Sequence, residues 1–296
     1  MKKASAGMLL AIAGFATLSV GDAVLKTMAG EWPVTAVAAL RFSIGAIALS
    51  AMLAISEGRY GVRPQKPWLQ VARGICLAGA SLAFFSAIFV MPLAETMAIA
   101  FVSPVLVVLF SGPFLGEKVG RAVWIACGAA LVGVALILRP NLLELGWPAI
   151  LPLISAVFFA LMIIANRASA GSGSALAMQA YMAVIAAPVL IAVTVAGENL
   201  FPSALQVDWP SWSVVLRCAF VAFTASTAHW LIYLGTVRAG ASQIAPASYV
   251  QMLVAIVLGW LLFGDMPDAV TLVGAGIIIA AGVSLWRQHS RAEEPA

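Results

Sequence analysis

Four ionisable residues interrupt stretches that are otherwise strongly apolar: Asp22, Arg41, Glu95 and His229. An ionisable group at membrane depth is costly, so each is a candidate for solute binding or proton transfer. If the surrounding stretches are helices, Asp22 lies about seven residues, roughly 10 Å, from the end of the first. Arg41 lies about eight residues, roughly 12 Å, into the second, so the two share a depth on adjacent antiparallel helices. Lys26 is one turn beyond Asp22 on the same face, because positions four apart are neighbours. Two readings stand. In one, Asp22 neutralises Arg41 or Lys26 and pins the first helix to the second. In the other, the cluster, positive by one charge, faces a cavity, draws an anionic group such as a carboxylate, or lets Asp22 carry a coupling proton. Lys26 also has the reach to snorkel to the surface.

Glu95 follows Pro92 and opens a helix whose dipole favours a carboxylate in the first turn. Its alternative role is a gate or proton site at the mouth of a cavity. Imidazole titrates near neutral pH, so His229 is either a proton-coupling group or a histidine bonded to a neighbouring helix. Trp230, Tyr233, Phe85, Phe101 and Tyr249 have the ring area to wall a cavity and stack a planar solute, or to fill core and lipid-facing positions. Ser81, Ser103 and Gln251 add hydrogen-bonding capacity suited to a polar, partly aromatic solute. Pro104 and Pro246 interrupt helical ladders and are candidate hinges or simple kinks.

The elements that must position these groups follow from composition. The chain is 63% hydrophobic and 9% charged, against roughly 25% charged for a soluble domain. So few charges do not cover a water-facing surface, and the solvent for most of the chain is lipid. Ten apolar segments can be delimited, at 5–29, 33–56, 68–91, 95–115, 120–138, 147–168, 174–196, 213–237, 240–263 and 268–286. Each is near the ~20 residues that cross a bilayer as a helix. The N-terminal segment reads as a retained first helix, since no small-residue cleavage site follows it. Alternate loops differ sharply in charge: twelve Lys and Arg residues fall on one side and three on the other, with Arg41 inside a segment. The positive-inside rule then puts both termini in the cytoplasm. Trp32, Trp68, Trp147, Trp209, Trp212, Trp260 and Trp286 fall near segment ends as an interfacial belt, and Trp230 does not.

The chain also echoes itself. The layout of 92–138, an apolar segment, a Gly116-Glu117 turn and a Gly/Ala-rich segment, recurs at 240–286 with Gly264-Asp265 in the turn. The offset is 148 residues, half of the 296-residue chain. An odd number of helices per half inverts one half relative to the other, and such repeats place a binding site near the midplane between two bundles that rock. The expected architecture is an all-α polytopic membrane protein of ten transmembrane helices, built as two inverted five-helix repeats over 1–140 and 141–296. Gly128, Ala129, Gly133, Gly274, Gly276 and Gly282 should let the fifth and tenth helices approach closely, within one molecule or across a homodimer.

The fourth segment, running from Ala94-Glu95-Thr96 to Ser103-Pro104, then Gly116-Glu117, the Gly-rich fifth segment and Arg41-Phe42 in the second, resembles the EamA family of the drug/metabolite transporter superfamily. The likeness spans the whole chain as two units. The second is looser, with Asp265 for the usual Glu and Gln243 where the first has Glu95. Asp22 to Lys26 and Arg73-Gly74 are similar to bacterial members carrying S-adenosylmethionine or riboflavin, and aromatic amino-acid exporters are a more distant comparison. The resemblance implies a central cavity and secondary transport of a small metabolite across the bacterial inner membrane.

Other classes fit poorly. There is no GxxxxGK[ST] loop for a pump and no HExxH for a membrane protease. Cys76, Cys127 and Cys218 show neither metal spacing nor a disulfide framework. No cofactor, metal or nucleic-acid partner is expected; the partners are a small-molecule solute, lipid and, as a candidate coupling ion, the proton. A channel or sensory module is the rival from a different class.

Overall fold

The structure is a computed structural model and describes residues 3–61, 63–90, 93–138, 146–200, 207–263 and 269–292. It is entirely helical among these residues. In the first half come α1 (Lys3–Lys26), α2 (Val34–Gly61), α3 (Pro67–Val90), α4 (Leu93–Ala100), α5 (Ser103–Leu115) and α6 (Arg121–Leu138). In the second come α7 (Ile150–Ala168), α8 (Ala175–Leu200), α9 (Trp212–Ala239), α10 (Ala241–Ile244), α11 (Val250–Phe263) and α12 (Ala269–Ala292). Short 3₁₀ turns at Trp147–Ala149 and Ala245–Tyr249 precede α7 and α11.

The order gives ten spans, because α4 with α5, and α10 with α11, each form one broken crossing. The interruptions expected at Pro104 and Pro246 are present, and they divide the fourth and ninth spans. Pro104 lies in the first turn of α5, where its missing N–H and fixed φ suit a helix start. It has no donor for the Ala100 carbonyl four residues back, so the ladder cannot run through. Pro246 sits in the 3₁₀ turn before α11. The first break, at 101–102, and the second, at 245–249, overlap at the repeat mates Phe101 and Tyr249, whose ring centroids lie 5.8 Å apart.

Packing obeys the same symmetry. The most extensive helix pairings are α1 with α9, α2 with α8, α3 with α7 and α6 with α12. Exchanging the halves turns the α1–α9 pair into α7–α3 and returns the other two to themselves, as an inverted repeat requires. Lipid-facing positions carry the exposed Ile47, Ile125, Phe223 and Leu261. Trp68, Trp147, Trp209, Trp212 and Trp260 are exposed near helix ends. Seven helices are long and apolar enough among the described residues to cross a membrane unaided.

The most extensive seam is between α1 and α9, and the sequence did not single it out. Gly7, Gly14 and Gly21 recur every seventh residue on one stripe of α1. A Cβ on Gly14 would stand 2.8 Å from the Ala228 carbonyl oxygen and from Ile232. A Cβ on Gly7 would meet that of Ala239 at 2.8 Å, and one on Gly235 would meet the Gly7 carbonyl at 2.7 Å. Of the glycines expected to join the fifth and tenth spans, Gly133 does so, with its Cβ position 2.7 Å from the Gly274 carbonyl. Gly128 and Gly276 have nothing within 4 Å at theirs, so they do not serve that contact. Gly14→Leu should lower stability by about 1–3 kcal/mol, the usual overpacking cost. Gly128→Ala should leave it unchanged, and thermal unfolding of the detergent-purified variants distinguishes the two.

Candidate functional site

A cavity with about 730 Å³ of empty space opens between the halves. Its walls come from α1, α2, α3, the α4–α5 break, α7, α9 and the segment before α11. Three pairs of repeat mates line it together, Ser81 with His229, Ala100 with Ser248, and Ser103 with Gln251. The cavity therefore lies on the pseudo-two-fold axis. The carbonyl freed by Pro104 belongs to Ala100, so the broken backbone is found where a cavity can hydrate it.

The charges break this symmetry. Asp22 and Arg41 both line the cavity. The Asp22 carboxylate accepts a hydrogen bond from Gln251 Nε2 at 3.3 Å, and Ser19 Oγ donates to the Gln251 carbonyl at 3.1 Å. These contacts tie α1 to α11. The Arg41 guanidinium is buried beneath aromatic rings, 4.4 Å from the Phe42 centroid and 5.0 Å from that of Phe85. Ring faces attract a cation and shield it from lipid. Phe84, Phe85, Phe101 and Phe159 give the rest of the lining its aromatic character.

Of the candidates read from the sequence, Asp22, Arg41, Ser81, Phe85, Phe101, Ser103, His229 and Gln251 meet in this one cavity. The others do not. Lys26 is exposed at the end of α1. Trp230 turns outward and is 44% exposed, because a step of one residue rotates a helical side chain by about 100° away from His229. Tyr233 is buried under the Arg73 guanidinium, 5.2 Å from its ring centroid. Tyr249 is fully buried; its hydroxyl donates to the Cys127 carbonyl at 3.3 Å, so it plugs the break and does not line the cavity. Glu95 falls in the first turn of α4, and its side chain lies outside the described residues, as does Asp265 altogether. Pro104 and Pro246 are both buried at the breaks.

Two polar clusters had no signal beyond single residues. Arg73 is fully buried, with Nε donating to Asn166 Oδ1 at 2.7 Å and Nη1 donating to Gln70 Oε1 at 2.6 Å and the Met178 carbonyl at 2.9 Å. It joins α3 to α7 and α8. The second cluster joins the two halves where α5 ends and α10 begins. Gly116 adopts φ 66° and ends α5 in a left-handed cap, with its N–H on the Gly112 carbonyl and the Glu117 N–H on the Ser111 carbonyl. That turn aims Glu117 across the repeat boundary. Its carboxylate accepts from the Ala241 and Ser242 N–H groups at 3.2 and 3.1 Å and from Ser242 Oγ at 2.7 Å. It also pairs with Arg167 at 3.2 Å, whose Nη1 donates to the Val237 carbonyl at 2.6 Å. Glu117 is thus a cap for a helix of the other half.

At the opposite end, Arg217 pairs with Glu31 and donates to the Thr27 carbonyl at 2.8 Å, while Trp32 Nε1 donates to the Asp208 carbonyl at 2.9 Å. The Arg217 hydrogen bond holds the Glu31 carboxyl below its usual range. A depressed carboxylate stabilises the fold above its unfolded pKa, and the effect is lost as pH falls through the folded value.

Two predictions check these ends. Glu117→Ala leaves the α10 N–H groups and Arg167 without their acceptor and should lower stability by about 1–3 kcal/mol in thermal unfolding. Glu31→Gln should unfold at a lower temperature than the parent chain at pH 7, and the gap should close as pH falls below 4.5, the unperturbed value.

An all-helical bundle that crosses the membrane repeatedly, with a polar cavity on the axis between inverted halves, defines a multi-pass membrane transporter. The EamA-like transporter family model matches residues 5–139 and 146–286, and the chain belongs to that family. Curated relatives include the pseudopaline exporter CntI of Pseudomonas aeruginosa, 27% identical over 95% of this chain and 96% of its own. The riboflavin transporter of Rhizobium johnstonii is 24% identical over 80% and 76%, respectively. The S-adenosylmethionine uptake transporter of Rickettsia prowazekii is 22% identical over 90% and 87%. A solved crystal structure superposes with a TM-score of 0.80 at 21% identity, covering 95% of this chain and 97% of that one, and shares its fold.

Proposed function

We propose that the protein is a secondary carrier of the bacterial inner membrane that moves a small organic metabolite by alternating access. The observation that carries this reading is one axial cavity holding Asp22, Arg41, His229 and aromatic walls. A polar, partly aromatic solute of amino-acid, nucleoside or vitamin type matches those surfaces: rings stack on Phe85 and Phe101, a cationic or donor group meets Asp22, and an acceptor meets Arg41. The relatives carry riboflavin, S-adenosylmethionine and pseudopaline in their names, three solutes unlike enough that the names alone select none.

The distribution of Lys and Arg supports cytoplasmic termini, with the Glu117 cluster on the cytoplasmic side and the cavity in the outer half. The repeats 1–140 and 141–296 supply the moving parts: the other spans would shift against the tightly packed α1–α9 pair, with the breaks at Pro104 and Pro246 as hinges and Glu117 closing the inner end. The motive force is the solute's own gradient or a proton carried on Asp22 or His229. The closed inner end favours a carrier over a channel, since a channel needs both ends open at once.

Reconstitution in liposomes tests the proposal. Saturable, counterflow-stimulated uptake is expected, and unsaturable conductance would indicate a channel instead. Asp22→Asn and Arg41→Ala should each abolish uptake while eluting and unfolding as the parent chain does. Uptake preserved in both variants would refute the cavity as the solute site.

A further inference from the structure

Arg41 and His229 do not form the back wall of the cavity; they divide it. Behind them, between α2, α3, α8 and α9, lies a second compartment with about 330 Å³ of empty space. Arg41, Leu77 and His229 border both spaces, so the compartment lies directly behind the cavity with only these side chains shared between them. Its polar lining is Arg41, Gln179, Ser226 and His229, set in an otherwise apolar wall of residues such as Phe42 and Met182.

Three of these polar groups are unfinished. Arg41 Nε, Gln179 Nε2 and His229 Nδ1 are buried and have no hydrogen-bond partner. Arg41, Gln179 and His229 are at most 6% exposed, and an unpaired buried polar atom carries a desolvation cost that a ligand atom can remove. The charges are also divided unequally. Asp22 lines the cavity and not the compartment, where the Arg41 guanidinium is the one formal charge in the lining. Two N–H donors, one of them cationic, call for an anionic acceptor with two oxygens. A single negative charge balances Arg41, whereas a dianionic phosphate would bring a second charge into an apolar enclosure.

We propose that the compartment behind Arg41 and His229 is a subsite for the carboxylate of the transported solute, with Gln179 as a specificity-determining residue. The carboxylate bonds Arg41 Nε and Gln179 Nε2, His229 Nδ1 completes the enclosure, and the body of the solute remains in the aromatic cavity beside Asp22. The carrier then selects amphoteric solutes, with the carboxylate in the compartment and a cationic or donor group at Asp22. This rests on the cavity being the solute site.

Single cysteines at Gln179, Ser226 and Ser81, in a full-length chain with Cys76, Cys127 and Cys218 replaced by alanine, provide a test that needs no known solute. The probes are sulfonatoethyl methanethiosulfonate, an anion, and its trimethylammonium counterpart, a cation of similar size. Gln179→Cys and Ser226→Cys should react about tenfold or more faster with the anion, the effect of a confined field of one sign. Ser81→Cys, in the cavity where Asp22 offsets Arg41, should show little preference. Adding Arg41→Ala should cancel the preference at 179 and 226. The two compartment positions are independent, so one misfolded variant leaves the other to decide. Reaction at Ser81→Cys with none at 179 or 226, or equal or cation-favoured reaction there, would overturn the subsite while leaving the cavity reading in place. No reaction at Ser81→Cys would overturn the cavity reading and the subsite with it.

Discussion

A guanidinium in the middle of a bilayer must be kept from the hydrocarbon, and much of this structure is arranged around doing so. Arg41 is covered by the rings of Phe42 and Phe85, shares a cavity with Asp22, and is walled by helices from both halves. Arg73 has a different solution near the start of α3, with side-chain amide oxygens, a backbone carbonyl and the face of Tyr233. Each arrangement draws on both halves of the chain. Neither half alone could bury its own charge, so the polar interior helps hold the two repeats together.

The inverted repeat supplies the geometry for this. Residues related by the 148-residue offset meet at the axis, as Ser81 with His229 and Phe101 with Tyr249 do. The break at Pro104 is placed there too, so the Ala100 carbonyl it frees belongs to a residue of the cavity wall. Function enters where the mates differ. Aspartate and arginine have no charged equals across the axis, which gives an otherwise symmetric space a direction.

Much of this was legible in the sequence because it depends on local pattern. Apolar run length set out the spans, and depth along a helix brought Asp22 and Arg41 to one cavity. Matching positions in the repeat paired Ser81 with His229. Failures came where phase or long-range partners decide. Trp230 follows His229 directly, and helical rotation sends it to the opposite environment. Tyr249 looks like Phe101 in sequence, yet one ring lines the cavity and the other fills the break. Glu117 was visible as a turn carboxylate, but its ligands in α10 lie in the other half of the chain. Gln179 is a lone amide in an apolar segment, and nothing local distinguishes it from any satisfied core glutamine.

The glycine stripe on α1 has a mechanical meaning as well. With no room for even a methyl group at Gly7 or Gly14, α1 and α9 cannot slide or roll past each other without losing the contact. They behave as one two-helix strut, made of one span from each half. Asp22 and His229 are both mounted on that strut. Arg41, on α2, is mounted on a different part. The carboxylate and imidazole thus share one mount, and the guanidinium that faces them across the cavity stands on another.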